Sequence, residues 1–351
     1  MSRKYFPKAS PFKVMEFANC PSNEALRHNN DDYNGHTIAQ GMQNINYGRD
    51  QIISGPGAFA PSNTERAGRV CSQSSESSAS SADPECLWIE HVKDLSKRPV
   101  EFGGLADIWT GKIGNTKVAV KAVRHRLSAN KEEQVSAFVR EAMSWRESDH
   151  PNILPFDGVY YFDEDKQQIC LVSPWMENGN LLKYLQEQNT NVDATQRQAL
   201  AKDVAQGLSY LHQLQITHGD LKGYNVLIAQ DGTARIDFGL SKVRQLHGFS
   251  AMAGQELPVR WLAPELLSGG KNTPESDIYA YGCVCFEIYA ATVPFEGVEE
   301  HEIYLTVAVE KGYPDFPANA PRNMVQLMRS CWHKSPQSRP AASQLVELGS
   351  L

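Results

Sequence analysis

The periodicity of apolar residues changes near residue 180 and divides the chain after residue 96 into two blocks. Short runs typical of β-strands cover 99–102, 106–112, 117–123, 156–162 and 168–173. One stretch among them, 132–146, has apolar residues every three or four positions and predicts a helix. From residue 181 onward helical spacing prevails. A strand-rich block followed by a helix-rich block predicts an α+β fold of two lobes, with a ligand cleft at their junction.

Residues 1–86 show neither the strand period nor the helix period, and 72–83 reads SQSSESSASSAD. Such a sequence buries too little apolar surface to offset its ordering entropy, so 1–86 is predicted to be disordered and of low complexity. It is interpreted either as a phosphorylatable regulatory tail or as a passive linker. The folded domain is predicted over 87–351, with a first lobe at about 97–173, a connection at about 174–179 and a second lobe at about 180–351.

The net charge of −7 does not suit a protein that binds the phosphate backbone of nucleic acids. The 7 cysteines show no CxxC spacing and favour reduced thiols, hence the cytoplasm, with the nucleus as the alternative. The first residues contain no apolar run long enough for a signal peptide, so none is predicted. The most apolar window, 279–295, contains Glu287 and is short for a membrane span, so it predicts a buried helix.

The segment 218–225 reads HGDLKGYN and combines three groups that phosphoryl transfer needs. Asp220 offers a carboxylate to accept the proton of an incoming hydroxyl, Lys222 a cation near the transferring phosphate, and Asn225 a hard oxygen ligand for a metal ion. Twelve residues after Asn225, the sequence DFG begins with Asp237, a second hard ligand for Mg²⁺. The order and spacing of these two motifs resemble the catalytic loop and DFG signature of protein kinases.

This resemblance implies a two-lobed protein kinase with ATP and Mg²⁺ as cofactors and a protein as substrate, without nucleic-acid or membrane partners. The sequence VAVK at 118–121 is similar to the strand whose lysine, here Lys121, contacts the α- and β-phosphates. Glu141 lies 20 residues further on in the predicted helix, where the resemblance implies an ion pair with Lys121.

The resemblance also implies two structural roles in the second lobe. The sequence APE at 263–265 contains Glu265, whose buried partner is implied to be Arg339. Asp277, at the start of a helix, is implied to brace the catalytic loop.

The adenine contacts follow from the similarity of VSPWMENG at 172–179 to the kinase hinge. Pro174 and Met176 would bind the adenine edge through their backbone, and Ser173 would occupy the gatekeeper position. Ala119 and Leu227 would enclose the adenine ring.

The glycine-rich loop departs from the family pattern G-x-G-x-x-G-x-V, because EFGGLADI fills 101–108. Only Gly103 matches a template glycine, Gly104 adds backbone freedom, and Glu101 brings a negative charge toward an anionic ligand. Gly103, Gly104 and Ile108 remain the candidate ATP contacts of this loop. The departure raises the question of reduced ATP affinity.

Gly219 stands where kinases with an HRD sequence carry an arginine that pairs with a phosphorylated activation segment. Resemblance to kinases without this arginine implies activity without that phosphorylation. Alanine at the candidate sites Ser241 and Ser250 is therefore predicted to leave most activity intact.

Two motifs bear on the substrate class. The pair Asp220 and Lys222 resembles Ser/Thr kinases, whereas LPVRW at 257–261 resembles tyrosine kinases. The mixture is similar to the tyrosine-kinase-like group, with hinge and loop sequences close to its fungal members, and predicts transfer to Ser/Thr hydroxyls. A tyrosine or dual-specificity kinase, and a catalytically weak pseudokinase that serves as a nucleotide-binding scaffold, stay open as alternatives.

Overall fold

The computed structural model describes residues 87–102, 106–123, 142–143, 145–146, 148–162, 168–188, 191–239, 258–310 and 312–348. The predictions for 1–86, Gly103, Gly104, Glu141, Ser241 and Ser250 lie outside these residues. Of the helix predicted at 132–146, the described residues 142–143 and 145–146 are helical.

Five antiparallel strands form the sheet of the first lobe in the spatial order β1-β2-β3-β5-β4. Their bounds are β1 Glu101–Phe102, β2 Ala106–Ile113, β3 Thr116–Val123, β4 Gly158–Tyr161 and β5 Ile169–Pro174. Each predicted run is confirmed as a strand. The ends differ by one or two residues, because they depend on hydrogen bonds that periodicity does not specify.

The alternation of side chains along β3 gives its two faces different surroundings. Val118 and Val120 are buried and pack with Val172 of β5 on one face of the sheet. Ala119 and Lys121 lie on the opposite face, which is the face that the predicted cleft requires.

The segment before β1 packs against the edge strand β4. Trp88 stacks on Tyr161 with ring centroids 4.5 Å apart, and Leu87 is buried. The Ile89 amide donates to the Val159 carbonyl at 2.8 Å. These contacts make this segment part of the packed first lobe.

The second lobe is mainly helical, which confirms the two-lobed α+β prediction. Its described α-helices are α1 Leu181–Gln188, α2 Ala194–Gln213, α3 Pro264–Leu267, α4 Pro274–Ala290, α5 Glu300–Tyr304, α6 Arg322–Cys331 and α7 Ala342–Leu348. Short 3₁₀ turns cover Gly223–Asn225, Val259–Trp261 and Pro336–Ser338, and a π-helical turn covers Leu305–Val309.

Helix α4 forms the centre of the second lobe. It begins after Thr273, whose hydroxyl accepts the Ser276 amide at 3.2 Å in a capping box. It is buried along nearly its whole length, which confirms the buried helix predicted at 279–295 as far as Ala290. No helix among the described residues combines the length and the apolar character needed to cross a bilayer.

A second, two-stranded sheet belongs to the second lobe and packs against its core. Strands β6 (Val226–Ile228) and β7 (Ala234–Ile236) pair antiparallel. The Leu154 amide donates to the Ile236 carbonyl at 2.9 Å and joins this hairpin to the chain that leads into β4. The hairpin connects the loop 218–225 to the DFG sequence, so its register decides how the two motifs meet.

Candidate active site

The loop 218–225 is attached to helix α4 through one buried carboxylate. The two oxygens of Asp277 accept the backbone amides of His218 and Gly219, each at 2.8 Å. Asp277 Oδ2 also lies 2.9 Å from His212 Nε2. The predicted brace is therefore confirmed, and the backbone just before Asp220 is anchored to the most buried helix of the lobe.

Three predicted site residues meet at the end of this loop. Lys222 Nζ lies 3.2 Å from Oδ1 and 3.1 Å from Oδ2 of Asp220. The Asn225 side-chain amide donates to Asp220 Oδ2 at 3.0 Å and to the Asp220 carbonyl at 2.7 Å. These bonds orient the Asp220 carboxylate and leave Oδ1 of Asn225 as the ligand atom of that side chain.

The hairpin register brings Asp237 beside this group. Val226 pairs with Ile236, so Asn225 and Asp237 flank the hairpin on the same side, and the Asp237 amide donates to the Asn225 carbonyl at 2.8 Å. The Asp237 carboxylate forms an ion pair with Lys121 Nζ. Lys121, Asp237, Asn225 and Asp220 thus form one connected set that joins β3 of the first lobe to the second lobe.

The surroundings of Lys121 explain its burial in the protein interior. Its side chain is nearly covered, and its ammonium lies 5.2 Å from the centre of the Trp145 ring. The Asp237 carboxylate and the aromatic face together compensate the charge. The ion pair predicted between Lys121 and Glu141 stays a prediction, because Glu141 lies outside the described residues.

The predicted adenine contacts gather around β3 and β5. Ala119 pairs with Ser173 and Val118 pairs with Pro174 across these two strands. On the edge of β3 that faces β2, Ile108 pairs with Lys121. Among the predicted contacts of the glycine-rich loop, Gly103 and Gly104 lie outside the described residues.

The other two predicted adenine contacts lie where the lobes join. The Met176 carbonyl accepts the Gly179 amide at 3.0 Å in a turn, which leaves its second lone pair available. Leu227 of β6 is half-buried against the main core and forms an isolated bridge with Asn180. Both residues therefore border the junction between the lobes.

Ser173 is a fully buried polar residue without a partner. It is 0% exposed, and its hydroxyl oxygen makes no hydrogen bond. A buried hydroxyl without a partner costs free energy that a small apolar side chain would not. Strand pairing alone gives no reason for a serine at this place.

The motifs did not single out Glu287, a buried carboxyl group beneath the catalytic loop. Glu287 of α4 is 0% exposed, and its Oε2 accepts the Gly223 amide at 2.8 Å. An added Cβ at Gly223 would lie 3.0 Å from this carboxyl group, so a glycine permits the approach. Burial raises the pKa of Glu287 to about 8, against smaller lowering effects of the Gly223 amide, Trp261 and Lys222. The protonated form therefore predominates at neutral pH.

The predicted pair of Glu265 and Arg339 is confirmed. The Arg339 guanidinium donates to the two Glu265 oxygens at 2.6 and 2.8 Å, and to the Glu275 carbonyl at 2.9 Å. This two-pronged geometry holds the start of α3 against the segment before α7. It fixes the chain that follows the region 240–257.

The order of these elements and their shared set of polar residues point to one family. The family model of protein tyrosine and serine/threonine kinases matches residues 97–348. The chain belongs to the protein kinase family. The match includes both lobes and every site residue discussed above.

Individual relatives of this kinase domain differ in stated specificity. The chain is 29% identical to tyrosine-protein kinase Fer of Rattus norvegicus over 263 residues, which are 74% of this chain and 31% of the relative. It is 28% identical to dual specificity protein kinase pyk3 of Dictyostelium discoideum over 248 residues, 70% of this chain and 18% of the relative. It is 29% identical to tyrosine-protein kinase transforming protein Fps of avian sarcoma virus over 261 residues, 72% of this chain and 48% of the relative. The chain therefore spans less than half the length of these relatives.

Proposed function

We propose that this protein transfers the γ-phosphoryl group of ATP to Ser/Thr hydroxyls of proteins. The observation that supports this proposal is the connected set of Lys121, Asp237, Asn225 and Asp220. A pseudokinase needs no such complete set, because scaffolding depends on conformation and not on phosphoryl transfer.

Asp220 accepts the proton of the attacking hydroxyl in this proposal. Lys222 and Asn225 hold its carboxylate in one orientation, which lowers the entropy lost when the substrate hydroxyl binds. The Lys222 ammonium, close to the Asp220 oxygens, is placed to stabilise charge that builds up on the transferring phosphoryl oxygens.

Asn225 and Asp237 fit a magnesium site. One amide oxygen and one carboxylate are hard ligands, and Mg²⁺ in such sites takes one or two protein groups and completes its shell with phosphate oxygens and water. Asn225 Oδ1 is oriented for this purpose because the amide nitrogen is bound to Asp220. Bound Mg²⁺ would neutralise charge on the β- and γ-phosphates.

Lys121 binds the α- and β-phosphates in this proposal, with Glu141 as the partner that keeps it in position. In the described structure its ammonium contacts Asp237. Phosphate oxygens offer a second anionic partner at the same place, so nucleotide binding exchanges one contact of Lys121 for another. The rest of the proposed ATP site consists of adenine and loop contacts: Ile108, Ala119, Ser173, Leu227, Gly103, Gly104 and the backbone of Pro174 and Met176.

Ser/Thr specificity and membership of the tyrosine-kinase-like group rest on the combination of Lys222 with the LPVRW sequence. A second candidate, transfer to tyrosine, has support from the named specificities of Fer and Fps. Dual specificity, as the name of pyk3 states for that protein, combines both.

The compartment proposed for this kinase is the cytoplasm, with the nucleus as the alternative. The described cysteines Cys170, Cys283, Cys285 and Cys331 are buried thiols. Free thiols suit a reducing compartment, where disulfides do not persist.

One assay tests the proposed function. Purified full chain is incubated with labelled ATP, Mg²⁺ and three peptides that differ only in Ser, Thr or Tyr at one position. We expect label on Ser and Thr, and a loss of at least about a hundredfold in rate for Asp220→Asn and Asp237→Asn, with a cooperative thermal unfolding transition retained in both variants. Label confined to tyrosine would assign the second candidate. ATP binding without transfer to any peptide or to the protein itself would assign the pseudokinase scaffold.

A further inference from the structure

Three large apolar side chains are exposed close together at the end of helix α5. The exposed fractions are 44% for Tyr304, 50% for Leu305 and 62% for Val309. These residues lie within six consecutive positions, and Leu305 and Val309 lie one turn apart in the π-helical turn. Single exposed apolar residues are ordinary, whereas a group of this kind marks a contact surface.

The opposite side of the same segment is buried and makes its contact with the core of the second lobe. Ile303 and Val307 are buried at 0% and 1% and pack into the second lobe. The core contact of the segment is therefore complete without Leu305 or Val309. The five-residue π turn is itself uncommon, and such turns often occur at functional sites.

Exposed carboxylates lie before and after these apolar side chains in the sequence. Between residues 291 and 310, all of them described, the charged side chains are exclusively glutamates; Lys311 follows directly in the sequence, and the Arg260 guanidinium binds backbone carbonyls of this stretch. The exposed members are Glu296, Glu299, Glu300, Glu302 and Glu310, with His301 as a further exposed titratable residue. Apolar side chains flanked in the sequence by carboxylates are complementary to a basic segment that carries apolar side chains.

A series of contacts connects this surface to the active site. The Arg260 guanidinium donates to the carbonyls of Pro294, Phe295 and Val298, just before α5. The next residue, Trp261, contacts the ring of Tyr224 in the catalytic loop edge to face, with centroids 6.3 Å apart. The chain just before α5 is therefore held to Arg260, whose neighbour Trp261 contacts the catalytic loop.

We propose that the segment 299–310 forms an acidic docking surface for protein substrates, and that its ligand is a basic substrate segment with large apolar side chains. The proposal rests on the kinase function proposed above and adds a recognition site distant from the phosphorylated residue. Tyr304, Leu305 and Val309 bind the apolar side chains, and the glutamates attract the Lys and Arg residues.

Docking through this surface raises the local concentration of the acceptor without changing the chemical step. The expected effect is a lower KM with an unchanged kcat. Because most of the charges are exposed, the effect also weakens as salt concentration rises.

The test uses three peptides with the same acceptor residue and the same flexible linker. The docking peptide ends in a module with two leucines and about four Lys or Arg residues. In one matched peptide serines replace the leucines, and in the other glutamates replace the basic residues. With the full-length wild-type chain we expect a KM for the docking peptide at least about fivefold below that of either matched peptide, and equal kcat values.

Two variants and one control locate the effect. Leu305→Ser combined with Val309→Ser is expected to remove the KM difference, and Glu299→Gln combined with Glu302→Gln to reduce it at low salt. Leu214→Ser changes an apolar side chain of similar exposure, 45%, beyond the end of α2, and is expected to retain it. A short acceptor peptide without the module is the activity control. Equal phosphorylation of this peptide by the wild type and the three variants shows that the variants are folded and active.

Binding of the labelled docking module alone, followed by fluorescence anisotropy, separates this proposal from the proposed function. If the wild-type protein binds the module but phosphorylates nothing, and the Leu305/Val309 variant does not bind it, the docking surface is supported and the kinase activity is refuted. Equal KM values for the three peptides, or a difference that persists in that variant, overturns the docking surface. A dimer in sedimentation velocity that Leu305→Ser dissociates also overturns it, because a second copy would then cover the surface.

Discussion

Glu287→Gln tests whether a protonated carboxyl group supports the catalytic loop. The carboxyl group is fully buried and accepts the Gly223 amide at 2.8 Å. A glutamine side chain has nearly the same shape, and its oxygen accepts the same hydrogen bond, but it cannot ionise. The variant therefore removes the titration and keeps the contact.

The magnitude follows from the raised pKa. Burial moves the pKa of Glu287 from 4.5 to about 8, so the folded protein holds a proton that the unfolded chain releases above about pH 4.5. The stability that the folded state gains from this group is fully present below pH 4.5 and is lost as the pH rises through about 8. Over the whole interval between the two pKa values, the free energy of unfolding contributed by Glu287 falls by about 5 kcal/mol. Between about pH 6 and 8.5 it falls by about 2–3 kcal/mol.

The measurement is urea unfolding of wild type and Glu287→Gln at several pH values, followed by tryptophan fluorescence. We expect the free energy of unfolding of the variant, relative to wild type, to increase by about 2 kcal/mol from about pH 6 to 8.5. Glu347→Gln, at an exposed position of α7, provides the matched control and should show no such trend. A relative stability of Glu287→Gln that is constant over this pH range would refute the protonated state.

Three further predictions concern the buried residues Ser173 and Arg339. Ser173→Ala should raise the free energy of unfolding by about 1 kcal/mol, because it removes a buried hydroxyl without a partner. Ser173→Met should leave the KM for ATP nearly unchanged and reject bulky ATP-competitive compounds that reach behind the adenine; equal inhibition of both proteins would contradict the gatekeeper assignment. Arg339→Met should cost about 3–5 kcal/mol in urea unfolding, because it leaves the Glu265 carboxylate without its partner; a loss below about 1 kcal/mol would show that solvent replaces the guanidinium.

The strands and the catalytic motifs could be predicted from sequence because their signals are local. A period of two specifies which residues of β3 share a face, and one short segment contains Asp220, Lys222 and Asn225 in fixed spacing. The pairing of Glu265 with Arg339 joins distant positions, and its prediction depended on family resemblance. Chain spacing alone carries no information on such a contact.

The burial of Glu287 and the contacts of Arg260 could not be predicted from local signals. Glu287 was visible as the single charged residue in the window 279–295, but its hydrogen bond to Gly223 depends on how α4 packs beneath the loop. Arg260 belongs to a motif that indicated substrate class. Its bonds to backbone carbonyls before α5 arise only in the folded lobe, since a carbonyl acceptor has no sequence signature.

The backbone at Gly219 gives a physical reason for the glycine in the catalytic loop. Gly219 has a φ of 73°, a conformation that costs other residues on the order of 1–2 kcal/mol. Its amide is bound by Asp277 at 2.8 Å, so helix α4 holds the backbone just before Asp220, while activity without a phosphorylated segment stays a prediction. An arginine at this position would add strain, and its guanidinium would offset that cost only if an anion were available to pair with it. A glycine avoids this strain, and two carboxyl groups of helix α4 then hold the loop on both sides of Asp220: Asp277 through the Gly219 amide and Glu287 through the Gly223 amide.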